Sequence, residues 1–259
     1  MGKIIAITNQ KGGVGKTTTT LNLAAALARK KKKVLVIDMD YQTNATIGVG
    51  LTRELIDLSV YDLLVTDIDI HNVIYQNLDN EFEIIPSSLK LSNINLVLQK
   101  DDKEMVLHDK VSKIKNNYDY ILIDCPPTLD VIVDNALFAS DSVIIPVECE
   151  YYAYDALTQI VKEINKVQKA KNMFKENLYI EGVLLTKLDN RNLFGYKIVE
   201  KVKVMFPNKT FKTIINRSTH IQEASMHGQT VIKFAYNSRG SKDYRELAKE
   251  ILANEVKDE

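Results

Sequence analysis

The chain is poor in cysteine: it has two, Cys125 and Cys149, and neither has a second cysteine or a histidine at metal-ligand spacing. That excludes a disulfide framework, and the apolar, strand-like surroundings of both predict buried thiols in a reducing cytoplasm. The chain also lacks a charge bias. Its 34 Lys and Arg balance 34 Asp and Glu, so any attraction to nucleic acid has to come from local clustering rather than net charge. No apolar run approaches the ~20 residues that a membrane span needs. The opening stretch, Lys3-Ile4-Ile5-Ala6-Ile7, has no signal-peptide architecture, and Ala6 stands where the myristoylation pattern after Gly2 requires Ser or Thr. Internal repeats, Gly/Ser linkers and low-complexity stretches are missing too, so residues 1–259 read as one domain.

What is present is the composition of a packed globular protein, 45% apolar and 26% charged. Short apolar runs alternate with helical patterns: Lys3 to Thr8, Val34 to Asp38, Glu83 to Pro86, Tyr120 to Asp124, Ser142 to Val147, Tyr179 to Thr186 and Phe211 to Ile215 read as strands. The runs are continuously apolar, as strands buried on both sides are. This predicts an α/β fold, a mostly parallel twisted sheet with helices on both faces. The stretch of about eighty residues before Tyr120 is expected to hold two or three helices and one strand. The basic run from Arg29 to Lys33 ends the first helix, where cations suit the helix dipole.

Lys11-Gly12-Gly13-Val14-Gly15-Lys16-Thr17-Thr18 follows the first strand and precedes the helical pattern of Leu21, Leu23, Ala24 and Leu27. That is the context a phosphate-binding loop requires. Glycines let backbone N–H groups turn inward on a polyphosphate, and the helix N-terminus adds its positive end. Lys16 is expected to reach the β- and γ-phosphates and Thr17 to offer its hydroxyl to Mg²⁺, with ATP as the nucleotide. Asp38 and Asp40 close the second strand and Asp124 closes another, at the carboxyl edge where open α/β sheets bind ligands. An acidic residue such as Asp124 can hold Mg²⁺ there; the alternative for each aspartate is a helix or turn cap. The loop departs at its start from the general phosphate-loop pattern and carries Lys11 there, and a second lysine is redundant if it serves its own chain.

With this lysine the sequence resembles the ParA/Soj/MinD-type deviant Walker ATPases, most closely the ParA/Soj branch of chromosome and plasmid partition proteins. The resemblance rests on the loop from Asn9 to Thr19, on Val36-Ile37-Asp38-Met39-Asp40 with Asn44-Ala45-Thr46, and on Ile123-Asp124-Cys125-Pro126-Pro127. Asn135-Ala136-Leu137, Glu181 to Thr186 and Glu223-Ala224 extend it over nearly the whole chain. It implies an ATP-dependent homodimer in which Lys11 of each subunit contacts the nucleotide of the other; the alternative for Lys11 is a solvent-facing loop residue. It further implies that Asp40 positions the attacking water, that Asp38 supports the metal region, and that Pro126-Pro127 belongs to a switch that senses the γ-phosphate. Tyr41 and Thr43 depart from the family's usual Pro and Gly, and Asp130 from a common Gly.

The function implied is a Mg-dependent ATPase switch that binds DNA without sequence preference and is reset when a ParB-like partner stimulates hydrolysis, in the cytoplasm and on the nucleoid. Residues 186–249 carry thirteen Lys or Arg against five Asp or Glu, which read either as a solvated helical face or as the DNA surface. Arg191 matches a DNA-contacting arginine of the family, Arg217 and Arg239 match further family arginines, Lys233 and Lys242 are added candidates, and His220 replaces another arginine. A MinD-like division-site regulator is the competing reading, but that branch ends in a basic amphipathic helix, whereas Ala248 to Glu259 is acidic and predicts no direct membrane binding. A redox protein related to nitrogenase iron protein would need interface cysteines, and a tyrosine autokinase a C-terminal tyrosine cluster. Neither is present. Residues 2–10 also leave no room for an N-terminal helix-turn-helix.

Overall fold

The molecule is built on a seven-stranded sheet of order β3-β4-β2-β5-β1-β6-β7. Its computed structural model describes residues 2–77, 81–98, 104–150 and 153–258, the side chains at 77, 153–156 and 256–258 excepted. The strands are β1 (Lys3–Ile7), β2 (Val34–Asp38), β3 (Tyr75–Asn77), β4 (Phe82–Ile85), β5 (Tyr120–Asp124), β6 (Ser142–Glu148) and β7 (Tyr179–Thr186). All pair in parallel except the edge hairpin β3–β4. The helices are α1 (Lys16–Ala28), α2 (Asn44–Gly48), α3 (Val60–Val65), α4 (Ile94–Val97), α5 (Val106–Val111), α6 (Val131–Ala139), α7 (Ala153–Met173), α8 (Leu193–Met205), α9 (Thr219–Met226), α10 (Val231–Phe234) and α11 (Arg239–Asp258).

Because side chains alternate across a strand, a continuously apolar strand feeds two cores at once. Ile4, Ala6, Leu35, Ile37, Ile121 and Ile123 join one core, closed by α3 and α5 to α8. Ile5, Ile7, Val34, Val36, Tyr120 and Leu122 join the other, closed by α1 and α9 to α11. This is the expected parallel sheet with helices on both faces. Among the described residues the stretch before Tyr120 holds four short helices and the hairpin, so there is one helix more than the two or three expected and β3 is a strand beyond the one expected.

Phe211 to Ile215 is the strand expectation that fails. The segment runs beside β7 through isolated bridges, Val183 to Thr210 and Leu188 to Asn216. Between them the Lys212 and Thr213 amides donate to the Glu250 carboxylate of α11 at 2.7 and 3.0 Å, which pulls the backbone out of ladder register. The sheet edge is thereby covered without a strand.

Both cysteines are free and buried. The basic run does flank the end of α1, where Arg29 pairs with Glu81, Lys32 with Asp119, and Lys33 lies over the Tyr118 ring. Among the described residues no helix is long and apolar enough to cross a membrane. The side chains of the acidic tail at 256–259 lie outside the described residues.

Candidate active site

Three strand ends converge on the loop between β1 and α1. Asn9 fixes it, donating from Nδ2 to the Pro146 carbonyl at 2.7 Å and accepting the Lys11 amide at 3.0 Å. Gly13 and Gly15 have φ of 76° and 95°, the left-handed region that disfavours a Cβ, and a side chain added at Gly12 would meet nothing within 4 Å. Val14 is buried, and its carbonyl accepts the Thr186 hydroxyl at 2.8 Å, which ties the loop to the end of β7. Lys16 opens α1, is 7% exposed and donates to the Lys11 carbonyl at 3.2 Å. Burial lowers its pKa, against the pull of Asp124, Cys125 and Asp40. Thr17 and Thr18 follow, half-buried, at the helix N-terminus, where backbone N–H groups have no partner within the helix.

Asp38 and Asp124 face each other in register on the adjacent strands β2 and β5, both fully buried. Asp38 spends its oxygens on its own chain: Oδ2 accepts the Thr46 amide and hydroxyl at 2.9 and 2.7 Å, and Oδ1 accepts the Asp40 amide at 3.1 Å. Its carboxyl is pushed up to about 6 by burial, partly offset by these bonds. It therefore acts on the 40–46 segment, beside Asp124 on the neighbouring strand. Asp40 accepts the Gln42 amide at 2.9 Å, and its carbonyl takes the Ser87 hydroxyl at 2.7 Å. Asp124 differs. Oδ1 accepts the Thr20 hydroxyl at 3.2 Å, but Oδ2 is buried with no hydrogen-bond partner among the described residues. Burial and then the Asp38 charge raise its pKa well above the usual carboxylate range, while Thr17 and Lys16 pull it down. An orphaned carboxylate oxygen beside a threonine hydroxyl fits a hard divalent cation such as Mg²⁺.

Lys11 points elsewhere. Its ammonium pairs with Glu150, just past β6, at 3.2 Å and stays partly exposed. In the 126–130 segment Asp130 caps α6, accepting the Ile132 amide at 3.0 Å, which accounts for an aspartate where glycine is common.

The basic candidates sit beyond β7. Arg191 is 89% exposed and makes a bidentate pair with Asp189 at 3.0 and 2.9 Å. That pair, with the Arg217 charge nearby, holds the Asp189 carboxyl down at about 2. Arg217 is tethered to β7's continuation through its amide on the Leu188 carbonyl, and Arg239 pairs with Asp243, which also holds Asn216. Arg191, Arg217 and Arg239 thus flank one surface. Lys242 is exposed on the same turn of α11 as Arg239, and Lys233 is half-buried on α10.

Sequence reasoning missed Thr20, Thr46, Ser87, Glu150 and Thr186, all of which touch the site. Thr46 and Thr186 lie inside segments that carry the resemblance and Thr20 lies just after the loop; Ser87 and Glu150 carry no local signal.

A model of the AAA domain matches residues 2–180. The chain is 47% identical to the sporulation initiation inhibitor protein Soj of Bacillus subtilis over 98% of its length and all of that protein. It is 37% identical to the chromosome partitioning protein ParA of Myxococcus xanthus, covering 99% of this chain and 90% of that one. Among solved structures, the septum site-determining protein MinD of Pyrococcus horikoshii complexed with Mg-ADP superimposes with a TM-score of 0.82 at 26% identity, covering 98% of both chains.

Proposed function

The chain belongs to the ParA/Soj family of AAA-domain ATPases, and from that premise we propose that it is a Mg-dependent ATPase whose ATP-bound dimer holds DNA without sequence preference and serves chromosome or plasmid partition. The carrying observation is the division of labour between the loop lysines: Lys16 is buried inside the loop while Lys11 stands outside it on Glu150. One cation serves the chain's own phosphates, and the other is free to serve a second subunit. Identity to Soj is far higher than to MinD, which favours partition over division-site regulation.

In this reading residues 1–259 act as one domain. The amides from Gly12 to Thr18 and the Lys16 ammonium bind and orient the triphosphate. Thr17 and the free oxygen of Asp124 would hold Mg²⁺, which supplies neutralising charge on the β- and γ-phosphate oxygens when bound. Asp40, fixed by Gln42 and Ser87, accepts a hydrogen bond from the attacking water and aims it in line with the γ-phosphorus. Asp38 keeps Asp40 in place through its amide and through Thr46. Lys11 of the opposite subunit adds positive charge across the interface as phosphate departs. A ParB-like protein would stimulate this step, on the nucleoid within the cytoplasm.

Arg191, with Arg217, Arg239, Lys233 and Lys242, forms the DNA surface. Each phosphate contact contributes about −0.9 to the slope of log K against log salt, so a monomer with few contacts binds poorly and a dimer doubles the face. The test is DNA binding with ATP, ADP and no nucleotide at two salt concentrations, for wild type and Arg191→Glu. ATP-dependent binding to unrelated sequences, weakened at least tenfold by Arg191→Glu with dimerisation retained, is expected. Wild-type affinity in Arg191→Glu, or indifference to nucleotide, removes the DNA surface.

A further inference from the structure

Lys11 is held at two places in its own chain. Its backbone is pinned by Asn9 on the amide and by the Lys16 ammonium on the carbonyl, so only the side chain can swing. That side chain ends on Glu150 at 3.2 Å. Glu150 is itself set by a stiff backbone: the Cys149 amide donates to the Thr186 carbonyl at 3.1 Å, and the Glu150 amide to the Glu148 carbonyl at 2.7 Å. The neighbouring Glu148 is occupied by Lys187 at 3.3 Å, which leaves Glu150 as the carboxylate facing Lys11. The pair holds the Glu150 carboxyl below its usual range, chiefly through the hydrogen bond from Lys11.

We infer that Glu150 is a positioning residue for Lys11, parking its ammonium in the single chain so that dimerisation must exchange this carboxylate for the phosphate of the opposite subunit. The inference rests on the reading of Lys11 as the lysine that acts across the dimer. Parking has two consequences. It keeps a second ammonium from settling on the phosphates of its own chain, where Lys16 already lies. It also makes the dimer less favourable by the strength of two exposed ion pairs, one in each subunit. Exposed pairs of this kind change an equilibrium by up to about fivefold each, hence up to about 25-fold for a symmetric dimer. The effect shrinks as salt screens the pair.

The experiment is light scattering against protein concentration with saturating Mg-ATP, for wild type, Glu150→Gln, Glu150→Asp and Lys11→Ala, at low and high salt, with thermal melting as the folding check. Glu150→Gln is expected to dimerise at a concentration between about threefold and 25-fold lower than wild type. Glu150→Asp, which keeps the charge, is expected to fall between them, and the advantage of Glu150→Gln to diminish at high salt. Lys11→Ala is expected to stay monomeric. If Lys11→Ala dimerises as wild type does, the trans role of Lys11 is wrong and the parking role falls with it. If Lys11→Ala is monomeric but Glu150→Gln dimerises as wild type or more weakly, the trans lysine stands and the parking role alone is refuted.

Discussion

Thr43 marks the place where the backbone near Asp40 is under strain, and replacing it is expected to make the protein more stable. Its φ and ψ are 59° and 26°, in the left-handed region. Among the described residues five other non-glycine residues have positive φ, namely Lys31, Glu81, Lys175, Lys187 and Asn208, and all five are exposed and unbranched at Cβ. Thr43 is β-branched and 3% exposed. A residue of this kind held there stores about 1–3 kcal/mol. Its hydroxyl is buried with no partner among the described residues, so removing it sacrifices no hydrogen bond there and relieves about 1 kcal/mol of desolvation. Against this, Thr43→Gly loses two buried carbons, the Cβ and its methyl, about 1.6 kcal/mol, and gives the unfolded chain extra freedom, about 0.5–1 kcal/mol.

The balance favours Thr43→Gly by roughly 0.6 kcal/mol, a rise of about 1–3 °C in Tm for a chain of this size. Thermal unfolding without nucleotide, followed by circular dichroism, measures it. Thr43→Val keeps the branched Cβ and exchanges the hydroxyl for a methyl, so it retains the backbone strain and tests the desolvation contribution separately. If Thr43→Gly melts below wild type, the strain argument is refuted. The outcome also explains why glycine is usual at this position in the family: the turn after Asp40 asks for a left-handed residue whatever the side chain.

Asp40→Ala is expected to retain ATP-dependent dimerisation while phosphate release falls by about 10²-fold or more, and normal turnover would remove Asp40 from the water-orienting role. Asp134 is pushed up to about 6, mainly by burial, with Glu163 and Glu104 adding to it and Lys166 opposing. The folded chain then holds a proton that the unfolded chain releases between pH 6 and the ordinary value of 3.8, so this group favours folding increasingly as pH falls through that window and opposes it above. Asp134→Asn is expected to raise stability at pH 8 by about 1 kcal/mol, given its partial exposure, and to flatten the pH profile of Tm; an unchanged profile contradicts this.

The strands were readable because burial on both faces leaves an unbroken apolar run, and each such run except Phe211–Ile215 became a strand. That segment has the same pattern, with Phe211 and Ile215 buried, and no local rule distinguishes it. What decides it is Glu250, 37 residues downstream of Thr213, taking a backbone amide that a ladder would use. Tyr75–Asn77 was invisible for the opposite reason: a short, polar edge strand presents no apolar run. The phosphate loop was legible because its chemistry is local, glycines and lysine within one turn of chain. Asp38 was placed correctly at the strand end, but its duty toward Thr46 and the Asp40 amide depends on which way a buried carboxylate points, and spacing does not encode that. Glu150 stands 139 residues from Lys11 and gave no sign of the pairing.

The end of β7 is where the nucleotide loop and the basic surface come within reach of each other. Thr186 holds the Val14 carbonyl in the loop, and two residues on Leu188 pairs with Asn216. Asp243 grips Asn216 through amide and side chain and also pairs with Arg239, while the Arg217 amide rests on Leu188. Asp189, next in the chain, holds Arg191. A shift of the loop on binding a triphosphate therefore has short, hydrogen-bonded contacts along which to reach three of the arginines proposed to meet DNA. Contiguity by itself does not establish coupling. It does restrict where coupling can be lost: Thr186→Val removes a side-chain hydrogen bond from β7 to the loop while leaving every basic residue in place. If ATP controls DNA affinity through this strand as well as through dimerisation, that substitution lowers the ratio of affinities with and without ATP at matched dimer concentration, and if dimerisation alone carries the control, the ratio is unchanged.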